Sequence, residues 1–455
     1  MTFFALRGLR AGLTLAVLAA EPLAAQIVVP PDGNGVTHPS IATSLPHNGD
    51  PAGIRKSLSD RGITYNLIYT NDVLSNLSGG TKRGTIDQGK VEGQLTVNLE
   101  KLAGWRDLTL YANAFQIDNT GRFRRDYIGG MNTIAAIEAN TATRLSELWL
   151  ERKFFDGAAS FRIGQLAADN EFFFSDLSNM FMQTDWPTIA AANIPGGGPA
   201  YPLSTPGARV KFDHGKDVSF LLALFNGDPA GPCAGDPDTC NRYGLNFRVR
   251  DPAFIIGEAQ FRSNQAKDDR GLARTLKLGG WTHLGQFNDQ RFANDGTLLA
   301  NPAGSGMPAQ HRGDFGVYGI IDQQLYRPRR AAADGGISVF GLASVSPSDR
   351  NLVDLQLNGG LIFAGFVPHR PDDRFGASVV YSRFSGSVGA FDQDAINFTG
   401  APGPVRDYEA NLELSYVAHI VPGWTVQPDF QYVWHPSGVA GRDAKILGIR
   451  TMLKF

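Results

Sequence analysis

Residues 408–420 read YEANLELSYVAHI, and this stretch decides the class of fold. Every second side chain from Tyr408 to Ile420 is apolar, whereas the intervening positions are mostly polar and include Glu409 and Glu413. A helix would scatter the two sets around its circumference, but a β-strand places each set on one face. The stretch therefore predicts a strand with one apolar and one polar face.

The same alternation recurs along most of the chain and is clear in residues 91–100 and 243–250. It predicts about 17 strands in all. The others are residues 62–70, 107–117, 144–154, 160–166, 207–213, 217–226, 253–262, 272–286, 313–325, 335–345, 352–363, 374–384, 424–434 and 445–455. A closed antiparallel barrel with both ends in the periplasm needs an even number of strands. One strand is therefore spurious or two are mispaired, and counting inward from both ends places the error between Leu166 and Gly313.

Strand length and loop length separate a membrane barrel from a soluble sandwich or propeller. A tilted membrane strand needs about ten residues to cross the apolar band, and several runs here are that long, whereas soluble strands have about five or six. Short connections such as residues 155–157 alternate with long ones such as residues 118–143. A propeller would repeat every 40 to 50 residues or so, and the sequence shows no such repeat. We predict an all-β, transmembrane antiparallel β-barrel with short periplasmic turns and long external loops.

Both ends of the chain are typical of an exported protein. Arg7 and Arg10 precede the uncharged apolar run 11–20, which is too short to span a bilayer as an anchor. Residues 1–25 are therefore predicted to be a signal peptide, residues 26–58 a flexible periplasmic lead-in, and residues 59–455 the barrel. The last strand ends in Phe455, which resembles the signal that barrel assembly machinery recognises in outer-membrane proteins. These features place the protein in the bacterial outer membrane, in contact with its lipid.

Charge and cysteine content exclude several classes of function. The chain has 42 Lys and Arg against 44 Asp and Glu, a formal net charge of −2, which provides no general attraction for nucleic acid. The two cysteines, Cys233 and Cys240, lack the spacing of a zinc site. We expect them to form a disulfide in an oxidising compartment, with two free thiols as the alternative. No cofactor or metal is predicted.

Several runs resemble the carbohydrate-selective porin family named after OprB. They are RLSELWLE at 144–151, RIGQ at 162–165, EF at 171–172, AYP at 200–202, PGAR at 206–209, FNGDP at 225–229, DQ at 322–323 and WTVQPDFQYVWHPSG at 424–438. Gly62-Ile63, Tyr69, Asn71-Asp72 and Gly79-Gly80 also fit, so the similarity extends over residues 60–455. The resemblance implies a barrel of 16 strands that admits sugars by passive diffusion.

The polar faces of the strands must line a water-filled interior, because the outside of the barrel meets lipid. The inward positions carry both signs of charge, which suits a neutral, hydroxyl-rich solute such as a mono- or small oligosaccharide. The alternative for each residue is a charge pair that only solvates the wall. The residues predicted to face the lumen outside the constriction are Glu92, Arg248, Glu258, Glu413 and Arg450.

Residues 167–201 form a segment too long for an idle connection, and we expect it to fold inward and narrow the pore. The predicted constriction comprises Glu171, Asp185 and Trp186 of this segment with Arg144, Glu151, Arg162 and Arg209 of the flanking strands. Trp186 either stacks on a pyranose face or serves as an interfacial anchor or loop-core aromatic.

Two other functions compete with sugar diffusion. A general or anion-tolerant porin without sugar preference fits the same lumen composition. A barrel hydrolase would need a nucleophile beside a base, but Ser415 and His419 stand four residues apart on one strand, which separates them by about 13 Å. We therefore predict that the protein is not an enzyme. Its outward face is compatible with a monomer or a homotrimer.

Overall fold

The computed structural model describes residues 36, 38–183, 186–266, 269–328 and 333–455, apart from the side chains of residues 47 and 48. Sixteen strands form one closed antiparallel barrel in which each strand pairs with its neighbours in sequence and β1 closes on β16. They are β1 (Ile63–Ser78), β2 (Gly84–Asn98), β3 (Leu108–Asn119), β4 (Ala142–Phe154), β5 (Ala159–Leu166), β6 (Thr205–His214), β7 (Val218–Asn226), β8 (Ala253–Ser263), β9 (Arg274–Ala293), β10 (Pro308–Tyr326), β11 (Gly336–Val345), β12 (Val353–Ala364), β13 (Arg374–Phe384), β14 (Tyr408–Val421), β15 (Trp424–Trp434) and β16 (Ala444–Lys454).

Alternation along each strand separates the two faces of the wall. On β1, Leu67 and Val73 are exposed on the outside, while Asp72 is fully buried inside. The first and last strands close the barrel in register, with Val73 opposite Ile449 and Asp72 opposite Arg450. The predicted barrel is confirmed, and its strand number is the 16 that the family resemblance implied.

The prediction of a strand at residues 243–250 is wrong, and it is the error expected between Leu166 and Gly313. This segment has no ladder partner, because β7 and β8 pair directly with each other and leave no free edge between them. Its backbone instead lies against the outer end of β4, where Tyr243 O accepts a hydrogen bond from Leu145 N at 3.0 Å. Alternation therefore located the sixteen strands of the barrel and one false strand here.

Connections differ sharply between the two ends of the barrel. The turns at one end include residues 155–158, 215–217 and 422–423, whereas the other end carries loops 120–141, 167–204 and 227–252. The start of β1 and the C-terminal Phe455 both lie at the short-turn end, which is the periplasmic one in an outer-membrane barrel. The helices are α1 (Ile54–Asp60), α2 (Leu99–Ala103), α3 (Thr188–Asn193), α4 (Pro237–Cys240) and α5 (Gly386–Thr399). Among the described residues, no helix is long and apolar enough to cross a membrane.

The described part of the lead-in packs on the periplasmic rim. Arg55 of α1 is 2% exposed, and its guanidinium lies 4.3 Å from the ring centre of Tyr65 and 4.4 Å from that of Phe455. Phe455 itself extends the closing ladder, since its N–H donates to Leu67 O at 2.7 Å. This contact joins the lead-in to the seam between the first and last strands. The predicted signal peptide, residues 1–25, lies outside the described residues.

Loop 167–204 folds into the barrel and builds an apolar core there. Phe173 stacks on the ring of Tyr318 with centroids 3.8 Å apart, and it meets Trp186 edge to face. Wall residues Phe254 and Trp281 belong to the same buried cluster. The loop therefore packs against inward side chains of several strands, from Phe254 of β8 to Glu413 of β14.

Loop 227–252 is closed by a disulfide between Cys233 and Cys240, whose Cα atoms are 6.0 Å apart. Between the two cysteines, Asp236 accepts from both Arg122 and Arg125 at 3.1 Å, which fixes the loop to loop 120–141. The disulfide thus holds an acidic turn against the neighbouring loop.

Replacing both Cys233 and Cys240 with serine is expected to loosen loop 227–252. A disulfide between cysteines 7 residues apart in sequence restricts the unfolded chain. Its loss therefore lowers the stability of the closed loop by about 2 to 3 kcal/mol. Trypsin should then cut after Arg242 faster in the variant, or in the reduced wild type, than in the oxidised protein. Equal cleavage rates would show that the contacts of Asp236 alone hold the loop.

Candidate functional site

Four charged side chains meet on the inner wall where β4, β5 and β6 lie side by side. Arg209 Nε donates to Glu171 Oε2 at 2.8 Å, and Arg209 Nη2 donates to Glu151 Oε1 at 3.0 Å. Arg162 Nη2 donates to Glu151 Oε2 at 3.0 Å, and its Nη1 lies 3.3 Å from Glu171 Oε1. The two guanidinium groups and the two carboxylates therefore alternate around a ring with no net charge, which we call the charge ring.

Strand register brings three members of the charge ring to one level. Glu151 of β4 is opposite Arg162 of β5, which is opposite Arg209 of β6. Like charges directly opposite each other destabilise a sheet, so the two arginines need anions on both sides. Glu151 supplies one, and Glu171, shortly after the end of β5, supplies the other.

The charge ring is only partly exposed. The side chains of Glu151, Arg162 and Glu171 are 14%, 15% and 21% exposed, whereas that of Arg209 is 2% exposed. Burial alone would raise the pKa of Glu171, but the guanidinium groups of Arg162 and Arg209 outweigh burial and hold this pKa below its ordinary value. The ring thus presents fixed donors and acceptors to the lumen. Arg209, its most buried member, binds both carboxylates.

An aromatic pair fixes the orientation of Arg162. Its guanidinium carbon lies 3.8 Å from the centre of the Trp149 ring, and Trp149 stacks on Tyr111 with centroids 4.8 Å apart. A planar guanidinium on a Trp face is favourable and has few alternative rotamers. Trp149 was missed from the sequence although it shares its face with Glu147 and Glu151, so alternation already placed it in the lumen.

The other predicted constriction residues do not join the charge ring. Arg144 is buried and donates to the carbonyl oxygens of Pro202, Asp238 and Arg242, so it holds two external loops together. Trp186 is 4% exposed within the core of loop 167–204, a loop-core aromatic and not an open stacking platform. Asp185 lies outside the described residues.

Two of the predicted lumen carboxylates bind the inward loop. Glu258 accepts from Phe173 N at 3.0 Å and from the Tyr318 hydroxyl at 2.8 Å. Glu413 accepts from Met182 N at 2.6 Å and from Gln183 N at 2.9 Å. These two buried glutamates point into the barrel, where they fix the position of the loop by accepting its backbone N–H groups.

Further tethers of this kind were not recognised as such from the sequence. Asp322 accepts from Asp176 N at 3.0 Å, and Gln356 accepts from Ile189 N at 2.7 Å. Inward parity alone is the only signal that could have suggested them, and parity does not say which side chain a loop will meet.

The remaining lumen-facing predictions have separate outcomes. Glu92 is buried on β2 and binds Lys90 at 2.9 Å, and Arg450 binds Asp72 at 2.7 Å. Arg248 does not lie on a strand, so its placement in the lumen wall is wrong. Its guanidinium pairs with Asp251 at 2.7 Å in loop 227–252, because the segment that carries it never enters the ladder.

Comparison with known proteins assigns this barrel to a family. The model of the carbohydrate-selective porin family OprB matches residues 82–455. The chain belongs to the OprB family. It is 25% identical to Porin B of Pseudomonas aeruginosa over 435 residues, which cover 90% of each protein. It is 22% identical to the putative porin QuiX of Acinetobacter baylyi over 435 residues, 90% of this chain and 92% of the relative.

The solved structures agree with the fold. OprB of Pseudomonas putida at high pH superposes with a TM-score of 0.76 over 89% of this chain and 96% of its own, at 21% identity. This OprB-family barrel is therefore a carbohydrate-selective porin of the outer membrane. As a porin it is a channel and not an enzyme, which removes the hydrolase alternative.

Proposed function

We propose that the charge ring of Glu151, Arg162, Glu171 and Arg209 is the selectivity filter at which this porin recognises mono- and small oligosaccharides. The observation that carries the proposal is the alternation of two carboxylates and two guanidinium groups at 2.8 to 3.3 Å around one ring. Carboxylates accept hydrogen bonds from sugar hydroxyls, and guanidinium groups donate to them.

The neutrality of the charge ring explains how such a filter discriminates. A ring of one sign would attract counter-ions into the pore, whereas a balanced ring creates little net potential for an ion. It still offers polar partners that replace water around a neutral polyol. The members also hold one another in place, so a sugar meets groups that need no reorganisation.

Trp149 acts on the sugar indirectly in this proposal. Its face is covered by the guanidinium of Arg162 at 3.8 Å, so it cannot at the same time stack on a pyranose. Trp149 is a positioning residue that holds the guanidinium where its donors reach Glu151 and Glu171.

Liposome swelling with a panel of solutes tests the proposal. We expect neutral monosaccharides to enter faster than size-matched amino acids and small anions, because only the sugars exchange water for the ring's donors and acceptors without a charge penalty. Disaccharides should enter more slowly than monosaccharides but still show saturation. Equal entry of all solutes of one size would leave a general porin without sugar preference.

A further inference from the structure

Residues 242–250 form an irregular strip on the outer surface of the barrel, which we call the rim segment. Gly244 O accepts from Gln165 Nε2 at 2.9 Å, which fixes one end of the segment beside the external end of β5. At the other end, Asp251 N donates to Asn226 Oδ1 at 3.0 Å, and Asn226 is the last residue of β7. The rim segment therefore crosses the external ends of β5, β6 and β7.

The strands below the rim segment are short. Strands β5, β6 and β7 have 8, 10 and 9 residues, whereas β9 and β10 have 20 and 19. At about 2.5 Å of height per tilted residue, an eight-residue strand covers about 20 Å of an apolar band about 25 Å tall. The rim segment thus lies where the outer edge of the hydrocarbon layer meets the headgroups.

Four apolar side chains of the rim segment point away from the protein. Tyr243, Leu245, Phe247 and Val249 are 59%, 62%, 48% and 75% exposed. Its backbone is held by turns, as in the bond from Arg248 N to Asn246 O at 2.9 Å, and not by a ladder. Irregular backbone is costly within hydrocarbon but acceptable in the interface, where water and headgroups reach it.

Cations flank the apolar row. Arg242 and Arg250 are both exposed, and the segment contains no acidic residue. Among the described residues, Arg242 Nη2 donates to a neutral partner, Thr141 O, at 3.1 Å. The third cation, Arg248, is neutralised by its pair with Asp251 at 2.7 Å. The surface therefore combines an apolar strip with positive charge at each end.

We infer that the rim segment binds a phosphorylated lipid of the outer leaflet, with acyl chains on the apolar row and phosphate groups on Arg242 and Arg250. Charge complementarity selects this occupant over a second copy of the chain. Self-association through the segment would bury the same two cations in each copy, with no carboxylate of the segment to pair with them. An anionic headgroup offers the missing partner.

Native mass spectrometry of the full chain in detergent, titrated with lipid A or with dephosphorylated lipid A, tests the inference. We expect wild type to retain lipid A with about 25-fold higher affinity than Arg242→Gln/Arg250→Gln, since each cation beside an anionic headgroup contributes about fivefold. Dephosphorylated lipid A should bind wild type and this variant alike. Leu245→Ser/Phe247→Ser should weaken the binding of both lipids.

Arg83→Gln is the matched control, because Arg83 is exposed in the external turn between β1 and β2, away from the rim segment. It should retain lipid A as wild type does, and sugar-dependent swelling should be unchanged in every variant if the barrels are folded. Equal affinity of wild type for the two lipids would overturn the inference. So would a change of oligomeric state in Arg242→Gln/Arg250→Gln, which would assign the surface to a second copy.

Discussion

Replacing Arg209 with alanine is expected to make the channel cation-selective and to abolish its preference for neutral sugars. Arg209 bridges Glu151 and Glu171, so its removal leaves two carboxylates that share only Arg162. The ring then carries one net negative charge. At about 6 Å in water, one unit charge changes the energy of a passing ion by about 0.7 kcal/mol, or about threefold in its local concentration. The cation-to-anion permeability ratio should therefore rise about tenfold, which reversal potentials in a KCl gradient measure directly.

Two further variants separate position from charge. Arg450→Ala also removes one lumen cation, but Arg450 pairs with Asp72 away from the charge ring, so its reversal potential should shift much less. Arg209→Lys keeps the charge but loses the planar fork that contacts Glu151 and Glu171 together. It should therefore keep the ion selectivity and lose part of the sugar preference. Equal shifts in Arg209→Ala and Arg450→Ala would argue that the whole lumen, and not this ring, sets selectivity.

The barrel could be predicted from the sequence because its physical cause is local. Each strand separates lipid from lumen through neighbouring side chains, so a window of about ten residues contains the signal. Residues 243–250 have the same alternation for a different reason, because they lie on the outer rim with one row exposed. What decides between the two is whether a neighbouring strand offers a free edge, and that is not a local property.

The charge ring was accessible to sequence reasoning for a related reason. Parity assigned Glu151, Arg162 and Arg209 to the lumen, and consecutive short strands with short turns must lie at similar heights. Glu171 follows β5 so closely that it cannot lie far away. By contrast, the path of loop 167–204 depends on contacts such as Glu413 with Met182, which lie 231 residues apart.

Alternation predicts a polar inward face on every strand, so it could not predict the part of the inner wall that is apolar. Phe254 and Ile256 face inward on β8 and are fully buried, because loop 167–204 covers them. Ile255 between them faces outward, so this stretch is apolar on both faces. A strand end that loses its polar face is therefore a sign that a loop packs inside the barrel at that height.

The double variant Glu258→Ala/Glu413→Ala is expected to release loop 167–204 and widen the pore. Glu258 accepts from Phe173 N and the Tyr318 hydroxyl, and Glu413 accepts from two further backbone N–H groups of the loop. Each buried donor left without an acceptor costs about 1 to 3 kcal/mol, so the docked loop loses several kcal/mol relative to a displaced one. Single-channel conductance should rise about twofold, because it follows the open area of the constriction, and disaccharides should enter liposomes almost as fast as monosaccharides.

Glu92→Ala provides the matched control for loop release, because Glu92 is a buried lumen carboxylate that binds Lys90, Gln94 and Asn113 on the wall and not the loop. It removes the same group from the same lumen and should leave conductance and size selectivity close to wild type. If the double variant also conducts as wild type does, the apolar contacts of Phe173 and Trp186 suffice to hold the loop, and the glutamates only satisfy its backbone. If conductance rises while Arg209 still confers sugar preference, the loop sets the size limit of the pore and the charge ring sets its chemical preference independently.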